Sequence, residues 1–488
     1  MAAYHCCSLV APIYLFTPMT TVTVASLRAD GSRAPEDIEL SLRPGLLPGF
    51  VEPDIGKGVK DAEVSPAVDV QSSSIDRGGA DATRMDTQSI KARSKWTARI
   101  QMGAICWAMF LLGWNDGTSG PLLPRMQQEY HVNFFVVSLI FVANCVGIIT
   151  GSLVNVYLNE KIGFGKILAL GGTLSMIAYA IQAPAPPFPV FVLSYVLQGF
   201  SGSFMDAHAN GYVVSLKNQS SSLGIAHSVY GIGAFAAPLV ATQFSQMRRW
   251  SFQYLVSLGI STLNLAIIIA VFRFRTQNEC LSEIGETISE PNTSSDNMYR
   301  QIFRSRTVHL FALFLLAYVG VEVTIGGWAV TYTIQVRHGG PASGYISSGF
   351  FGGLALGRVA LLWVNAKLGN RRAVLVYVVL AIGLELVVWL VPSLISGAVS
   401  IALIGLILGP IFPIVMSETS KVVPRSILTA TIGWIAAFGN TGSAALPLAT
   451  GVLAQAKGIW TLQPLMISIL VFMVILWLFI PKDRERID

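Results

Sequence analysis

The pattern of apolar and polar positions divides the chain into twelve apolar runs separated by polar stretches. In windows of about 19 residues, the runs fall near 98–122, 134–157, 165–183, 188–214, 224–245 and 252–274, then near 308–334, 343–366, 372–393, 397–417, 427–453 and 461–480. Most are long enough for a helix to cross a bilayer, which takes about 20 residues. They do not alternate as the strands of a membrane β-barrel would. The expected fold class is an all-α membrane protein with twelve transmembrane helices. Asp116, Asp206 and Glu322 sit inside three of the runs. An acid there costs at least about 3 kcal/mol if it is charged and unpaired, so these three are the expected proton-coupling residues.

Composition agrees. Hydrophobic residues make up 53% of the chain and charged residues 12%, the latter about half the level of a soluble domain. Mean hydropathy is +0.59. The net charge of +6 does not point to nucleic acid, because the basic residues sort by loop. Twenty lie in the N-terminal flank, the even-numbered loops and the C-terminus, against five on the opposite side: Arg125, Arg248, Arg249, Arg337 and Lys457. This bias predicts that both termini are cytoplasmic. The five cysteines show neither metal spacing nor a disulfide framework.

From Arg28 to about residue 95 the chain is rich in Asp, Ser, Gly and Pro without a sustained period, which predicts a disordered cytoplasmic tail over 1–95. Ser8 to Leu27 is mildly apolar but has no basic segment before it, so a tail segment, or a chain start at Met19, fits better than a signal peptide. The expected organisation continues with a six-helix bundle over 96–274, a polar cytoplasmic linker over 275–307, a second six-helix bundle over 308–481 and a cytoplasmic C-terminus over 482–488. Asn292-Thr293-Ser294 matches a glycosylation acceptor, but the expected topology puts it in the cytosol, where that modification does not occur.

The halves resemble each other. Leu158 to Lys166 and Val364 to Arg372 align at an offset of 206 residues. The same offset places Gly151 on Gly357, Gly199 on Gly405 and Asp116 on Glu322. Two six-helix halves related by duplication predict a transporter with its site at their interface, near the membrane midplane.

These segments carry a resemblance. Gly151, Lys161 and Gly163 in one half, and Gly357, Arg358, Lys367, Gly369 and Arg371 in the other, resemble the signature gating loops of the major facilitator superfamily. The family usually has an acid four positions after the first glycine; here Asn155 and Leu361 stand there. A narrower resemblance is to the fucose–proton symporter branch and its fungal bypass-of-stop-codon-type relatives. It rests on Trp114-Asn115-Asp116-Gly117-Thr118-Ser119-Gly120-Pro121, on Gly199 to Asn210, and on His227-Ser228-Val229-Tyr230-Gly231. It implies two pseudo-symmetric six-helix bundles in the major facilitator fold, with Asp116 and Asp206 handling protons and solute.

Spacing sharpens the candidates. Gln198, Gly202, Asp206 and Asn210 are four apart and form one polar face of a helix, expected to line a water-filled cavity. Asn115, Gln198, Asn210, His227, Tyr230, Trp328, Tyr332 and Asn440 are the expected substrate-binding residues. Arg358, the only basic residue near a span interior, is assigned to a helix end, so the acids are expected to lack cationic partners. Gly409-Pro410, Gly231 to Pro238 and Gly439 to Pro447 are expected to break three spans and serve as hinges.

No phosphate-binding loop, metal spacing or nucleophile elbow occurs. The expected protein is therefore not an enzyme and needs no cofactor or metal. Its expected partners are a small-molecule solute, protons and the lipid bilayer, with no nucleic acid, and it is expected to be a monomer. The leading reading is a secondary active transporter, proton-coupled and working by alternating access on a sugar-like solute, in the plasma membrane or an internal membrane such as the vacuole or Golgi. Proton-driven efflux of a hydrophobic metabolite and a non-transporting membrane sensor are the alternatives.

Overall fold

The structure, a computed structural model, describes residues 77–286, 298–423 and 428–481. The tail as far as residue 76, the Asn292 acceptor and the C-terminus from 482 lie outside the described residues. Residues 17–90 form a separate unit, of which only the helical stretch from Arg77 is described.

Among the described residues there are helices and no strands. The N-terminal half holds α1 (Arg77–Tyr130), α2 (Phe134–Ile162), α3 (Phe164–Gln182), α4 (Phe188–Val214), α5 (Gln219–Ser245) and α6 (Gln253–Phe272). Two short helices follow, α7 (Gln277–Glu283) and α8 (Met298–Arg304). The C-terminal half holds α9 (Arg306–Val336), α10 (Tyr345–Ala360), α11 (Leu362–Leu368), α12 (Asn370–Leu390), α13 (Leu394–Leu408), α14 (Ile411–Val422), α15 (Leu428–Lys457) and α16 (Leu462–Phe479). Helix α1 thus begins within the stretch read as tail.

Polar caps set several starts. The Asn133 side chain accepts from Val136 N at 2.8 Å before α2, and Ser305 and Ser393 do the same before α9 and α13. Thr276 and Glu279 form a reciprocal capping box on α7. Gly163 and Gly369, at φ +79° and +76°, let the chain turn from α2 into α3 and from α11 into α12. These two turns are related by the 206-residue offset.

Nine helices among the described residues are long and apolar enough to cross a membrane, and Pro341–Ala360 with Leu362–Leu368 forms a tenth candidate bent by 53°. The other two expected spans lie in α1 and α15. Polar positions dilute both: Asn115, Asp116, Thr118 and Ser119 in one, Asn440 and Ser443 in the other, all buried against protein. The apolar signal fails where a helix turns a polar face inward.

Glycine controls the packing within each half. α2 and α4 meet so closely that a Cβ on Gly147 or Gly199 would collide with the carbonyl of Val196 or Asn144. In the other half a Cβ on Gly353 or Gly405 would collide with the carbonyl of Ala402 or Phe350. Each of these four residues in the C-terminal half lies 206 positions after its counterpart, so the duplication is a repeated helix contact as well as a repeated sequence. α3 packs on α4 and α6, and α12 packs on α13 and α16. Between the halves, α2 packs on α15 and α5 on α10.

Of the three expected breaks, one is found. The chain is interrupted between Leu408 and Ile411, at Gly409-Pro410. Pro238 and Pro447 lie inside continuous helices, α5 and α15. A proline removes one backbone hydrogen bond, which neighbouring helices in a membrane bundle tolerate. An unforeseen break occurs at Leu361, between α10 and α11.

Candidate functional site

The three expected carboxylates all lie in the interior, with residue exposures of 1% for Asp116, 1% for Asp206 and 3% for Glu322. Asp116 is positioned by glycine. A Cβ on Gly113 or Gly117 would collide with the carbonyl of Tyr230 or Ala234 on α5. This close approach lets the Tyr230 hydroxyl donate to Asp116 Oδ2. Next to it, Asn115 Oδ1 accepts from the Tyr179 hydroxyl at 3.2 Å, and Gln198 Nε2 donates to that hydroxyl at 3.1 Å. Residues of α1, α3, α4 and α5 thus join around Asp116.

The polar stripe on α4 is a local network. Asn210 Nδ2 donates to Asp206 Oδ1 at 2.8 Å and to the Asp206 carbonyl at 3.0 Å, as four-residue spacing permits. The stripe does not face open water: Gln198 and Asn210 are only 2% and 6% exposed. The neighbouring helices close over it.

Glu322 corrects the expectation about counter-ions. Arg358 Nη2 lies 4.0 Å from Glu322 Oε1, with side-chain exposures of 16% and 4%. Arg358 therefore points into the bundle from α10 toward α9, and one of the acids has a cationic partner. Its charge also reaches His227 and Tyr230 on α5 of the other half. Asp116 in turn lies within electrostatic reach of both Glu322 and Asp206. The structure thus brings Asp116, Asp206, Glu322, His227, Tyr230 and Arg358 into one charged region where the halves face each other.

The aromatic candidates are placed differently. Trp328 Nε1 donates to the Pro447 carbonyl at 3.2 Å, and the Tyr332 hydroxyl to the Val388 carbonyl at 3.4 Å. Both side chains are fully buried, and these contacts make them packing groups of the C-terminal half. The Asn440 carbonyl accepts from Cys145 Sγ at 3.2 Å and so ties α15 to α2.

The gating-loop candidates form a duplicated pair. Lys161 lies over the Tyr157 ring at 4.1 Å and Lys367 over the Trp363 ring at 3.8 Å. Both rings are more than half exposed, as suits residues at a membrane surface. Gly151 and Gly357 sit in the close helix contacts of their halves. Arg371 instead binds the Pro481 carbonyl at 2.6 Å and fixes the end of α16.

Sequence reasoning overlooked three features. Tyr179, a hub of the Asp116 region, was counted only as an apolar position. Asn155, which stands where the family has an acid, bonds His208 across α2 and α4 at 2.9 Å, and both are buried. Glu385 is an acid inside an expected span and 1% exposed; the test that picked out Asp116 would have found it.

At the end that carries the α1–α2 loop, hydrogen bonds join the halves. Phe134 N donates to Gln455 Oε1 at 3.3 Å, Gln246 Nε2 to the Pro341 carbonyl at 3.2 Å, and Gln243 Nε2 to the Tyr345 hydroxyl. A surface groove of about 370 Å³ between α10 and α13 is lined by residues such as Ile346, Leu394 and Ala402 and by none of the acids. No cluster of metal-ligating side chains occurs among the described residues.

Residues 105–447 match the family model described as Major Facilitator Superfamily. Bypass of stop codon protein 6 of Saccharomyces cerevisiae is 27% identical over 406 residues, covering 77% of this chain and 82% of that protein. The glucose/mannose transporter GlcP of Bacillus subtilis is 20% identical over 345 residues, covering 68% and 83%. Among solved structures, the E. coli fucose:proton symporter FucP superposes with a TM-score of 0.54 at 16% identity, covering 79% of this chain and 99% of that one.

Proposed function

This chain belongs to the Major Facilitator Superfamily and is a secondary transporter of the membrane, and on that premise we propose that it carries a polar, sugar-like solute together with protons by alternating access. The observation that carries the reading is the pair of acids at equivalent positions in the two halves. Asp116 is bonded to Tyr230 and Glu322 is paired with Arg358, and both lie where the halves face each other. A proton bound at Asp116 removes a charge from the interior. Rocking of the halves then presents the site to the other side. Glu322, with a guanidinium beside it, acts as the counter-charge, leaving Asp116 and Asp206 as the proton carriers.

The solute class follows from the groups around Asp116. Asn115, Gln198, Asn210, His227 and Tyr230 carry hydrogen-bonding groups that a solute engages by exchange with their present partners, and a buried polar group left unpaired by that exchange costs about 1–3 kcal/mol. A hydroxyl-rich solute satisfies such groups and a flat apolar one does not. The names of GlcP and of the fucose:proton symporter point to the same class. Exchange of a panel of labelled sugars and apolar compounds across vesicles tests this. Asn210→Leu with His227→Phe is expected to weaken sugar exchange at least about tenfold, the loss of roughly one buried hydrogen bond. If no polar solute exchanges, and apolar compounds bind the double variant as well as the parent, the protein is an exporter.

The loop charges support a topology with both termini and the linker in the cytosol. Ser282 on α7 is exposed and suits a cysteine label. In a chain with Cys6 and Cys7 replaced by serine, Ser282→Cys is expected to resist a membrane-impermeant maleimide on intact cells and to react once they are permeabilised. Native Cys280 does not interfere. It is fully buried, and burial pushes its thiol up to about 11, which leaves little reactive thiolate. Labelling of Ser282→Cys on intact cells would reverse the orientation.

A further inference from the structure

A fourth membrane-embedded acid, Glu385 on α12, is 1% exposed, and its Oε2 meets no hydrogen-bond donor among the described residues. We infer that Glu385 is a second proton-binding site of this transporter, set inside the C-terminal bundle; the inference rests on the proton-coupled reading above.

The duplication shows how unusual its surroundings are. The 206-residue offset places Glu385 on Tyr179. In the N-terminal half, Tyr179 gives its hydroxyl hydrogen to Asn115 and accepts from Gln198. The positions equivalent to those partners are Val321 and Ile404, both fully buried. The C-terminal half therefore has a carboxyl group where its twin has a hydroxyl, and aliphatic side chains where its twin has amides. A carboxyl group with an oxygen that meets no donor in an apolar interior is costly as an anion and is relieved by a proton.

The charged neighbours do not supply a counter-ion. From α9, Tyr332 lies within electrostatic reach of Glu385, and its hydroxyl is given to the Val388 carbonyl. Arg337, the C-cap of α9, donates to the Val388 and Trp389 carbonyls at 2.7 Å each. α13 and α16 bring no titratable side chain to α12. On α14, Glu418 and Lys421 pair with each other at 2.6 Å, and Lys367 of α11 lies over Trp363. On α12 itself, Arg371 and Arg372 stand at the opposite end of the helix, and Tyr377 donates to Asn365. Arg337 is about one helical turn beyond Glu385.

Dicyclohexylcarbodiimide tests the site in the unaltered protein, because it modifies protonated carboxyl groups in apolar surroundings. Mass spectrometry is expected to find the adduct on Glu385, with a yield that falls as the pH is raised, since only the protonated carboxyl group reacts. In vesicles under a gradient of about one pH unit, Glu385→Gln is expected to accumulate about tenfold less solute than the parent, the contribution of one proton. Its exchange without a gradient should match the parent. Absence of the adduct at every pH would overturn the proposal. So would protection of Glu385 by sodium ions at fixed pH, or parental accumulation by Glu385→Gln. A parent that accumulates nothing under a pH gradient would instead contradict the proton-coupled reading, and the adduct's pH dependence would still decide whether Glu385 binds a proton.

Discussion

Asp116→Asn is expected to cut solute accumulation driven by a pH gradient by about tenfold per pH unit. A gradient of one pH unit supplies about 1.4 kcal/mol per proton, enough for about tenfold accumulation of a neutral solute. An asparagine at this position still accepts the Tyr230 hydroxyl that Asp116 Oδ2 accepts, but it cannot exchange a proton. It resembles the protonated acid permanently. Asp206→Asn acts in the same way, since the amide oxygen can still accept from Asn210. Each variant should accumulate about tenfold less solute than the parent at a gradient of one pH unit, the contribution of the proton it no longer carries. At least one should retain exchange of solute for solute, because a neutral site can still rock between its two states. The measurement is uptake into vesicles with and without the gradient. Parental accumulation in both variants would show that neither acid carries the coupling.

The second large effect concerns Glu322 and Arg358. Removing one partner of a buried ion pair leaves the other as an uncompensated charge, at a cost of about 3–5 kcal/mol. The pair here is 4.0 Å apart, at the loose end of ion-pair geometry, so the lower part of that range applies. Arg358→Gln and Glu322→Gln are each expected to lower thermal stability and yield. The double variant removes both charges and should recover most of the loss. Recovery of this kind is the signature of a direct interaction. If the two losses add, the residues do not act as a pair in the membrane-embedded protein.

The same residues show how far the sequence could be read. The offset of 206 was visible in a few glycines and basic residues, and the structure extends it to individual helix contacts such as Gly199 on Asn144 and Gly405 on Phe350. The all-α class followed from run lengths alone, because a bilayer forces apolar length on a helix. Asp116 and Glu322 were found because an acid in an apolar run is expensive. What stayed hidden was direction. The position of Arg358 in the sequence suggested a helix end, and only the packing of α9 against α10 shows that it turns inward to Glu322. Tyr179 was invisible because its ring reads as apolar while its hydroxyl joins Asn115 and Gln198. Pro238 and Pro447 looked like breaks, yet their helices run on because neighbouring helices hold them.

The signature-loop positions also depart from what the resemblance implied. At the positions where the resemblance implies an acid, Asn155 makes a hydrogen bond with His208, and Leu361 marks the bend between α10 and α11.

Proton-coupled transport is the central claim, and recording both fluxes at once tests it most directly. Purified protein is sealed into vesicles that contain a pH-sensitive dye, with no pH gradient, and a candidate sugar is added outside. The account predicts that the interior acidifies as the sugar enters, and that Asp116→Asn acidifies it less for the same sugar entry. Sugar entry with no proton movement in the parent would contradict the coupling, and alkalinisation would mark an exchanger in place of a symporter.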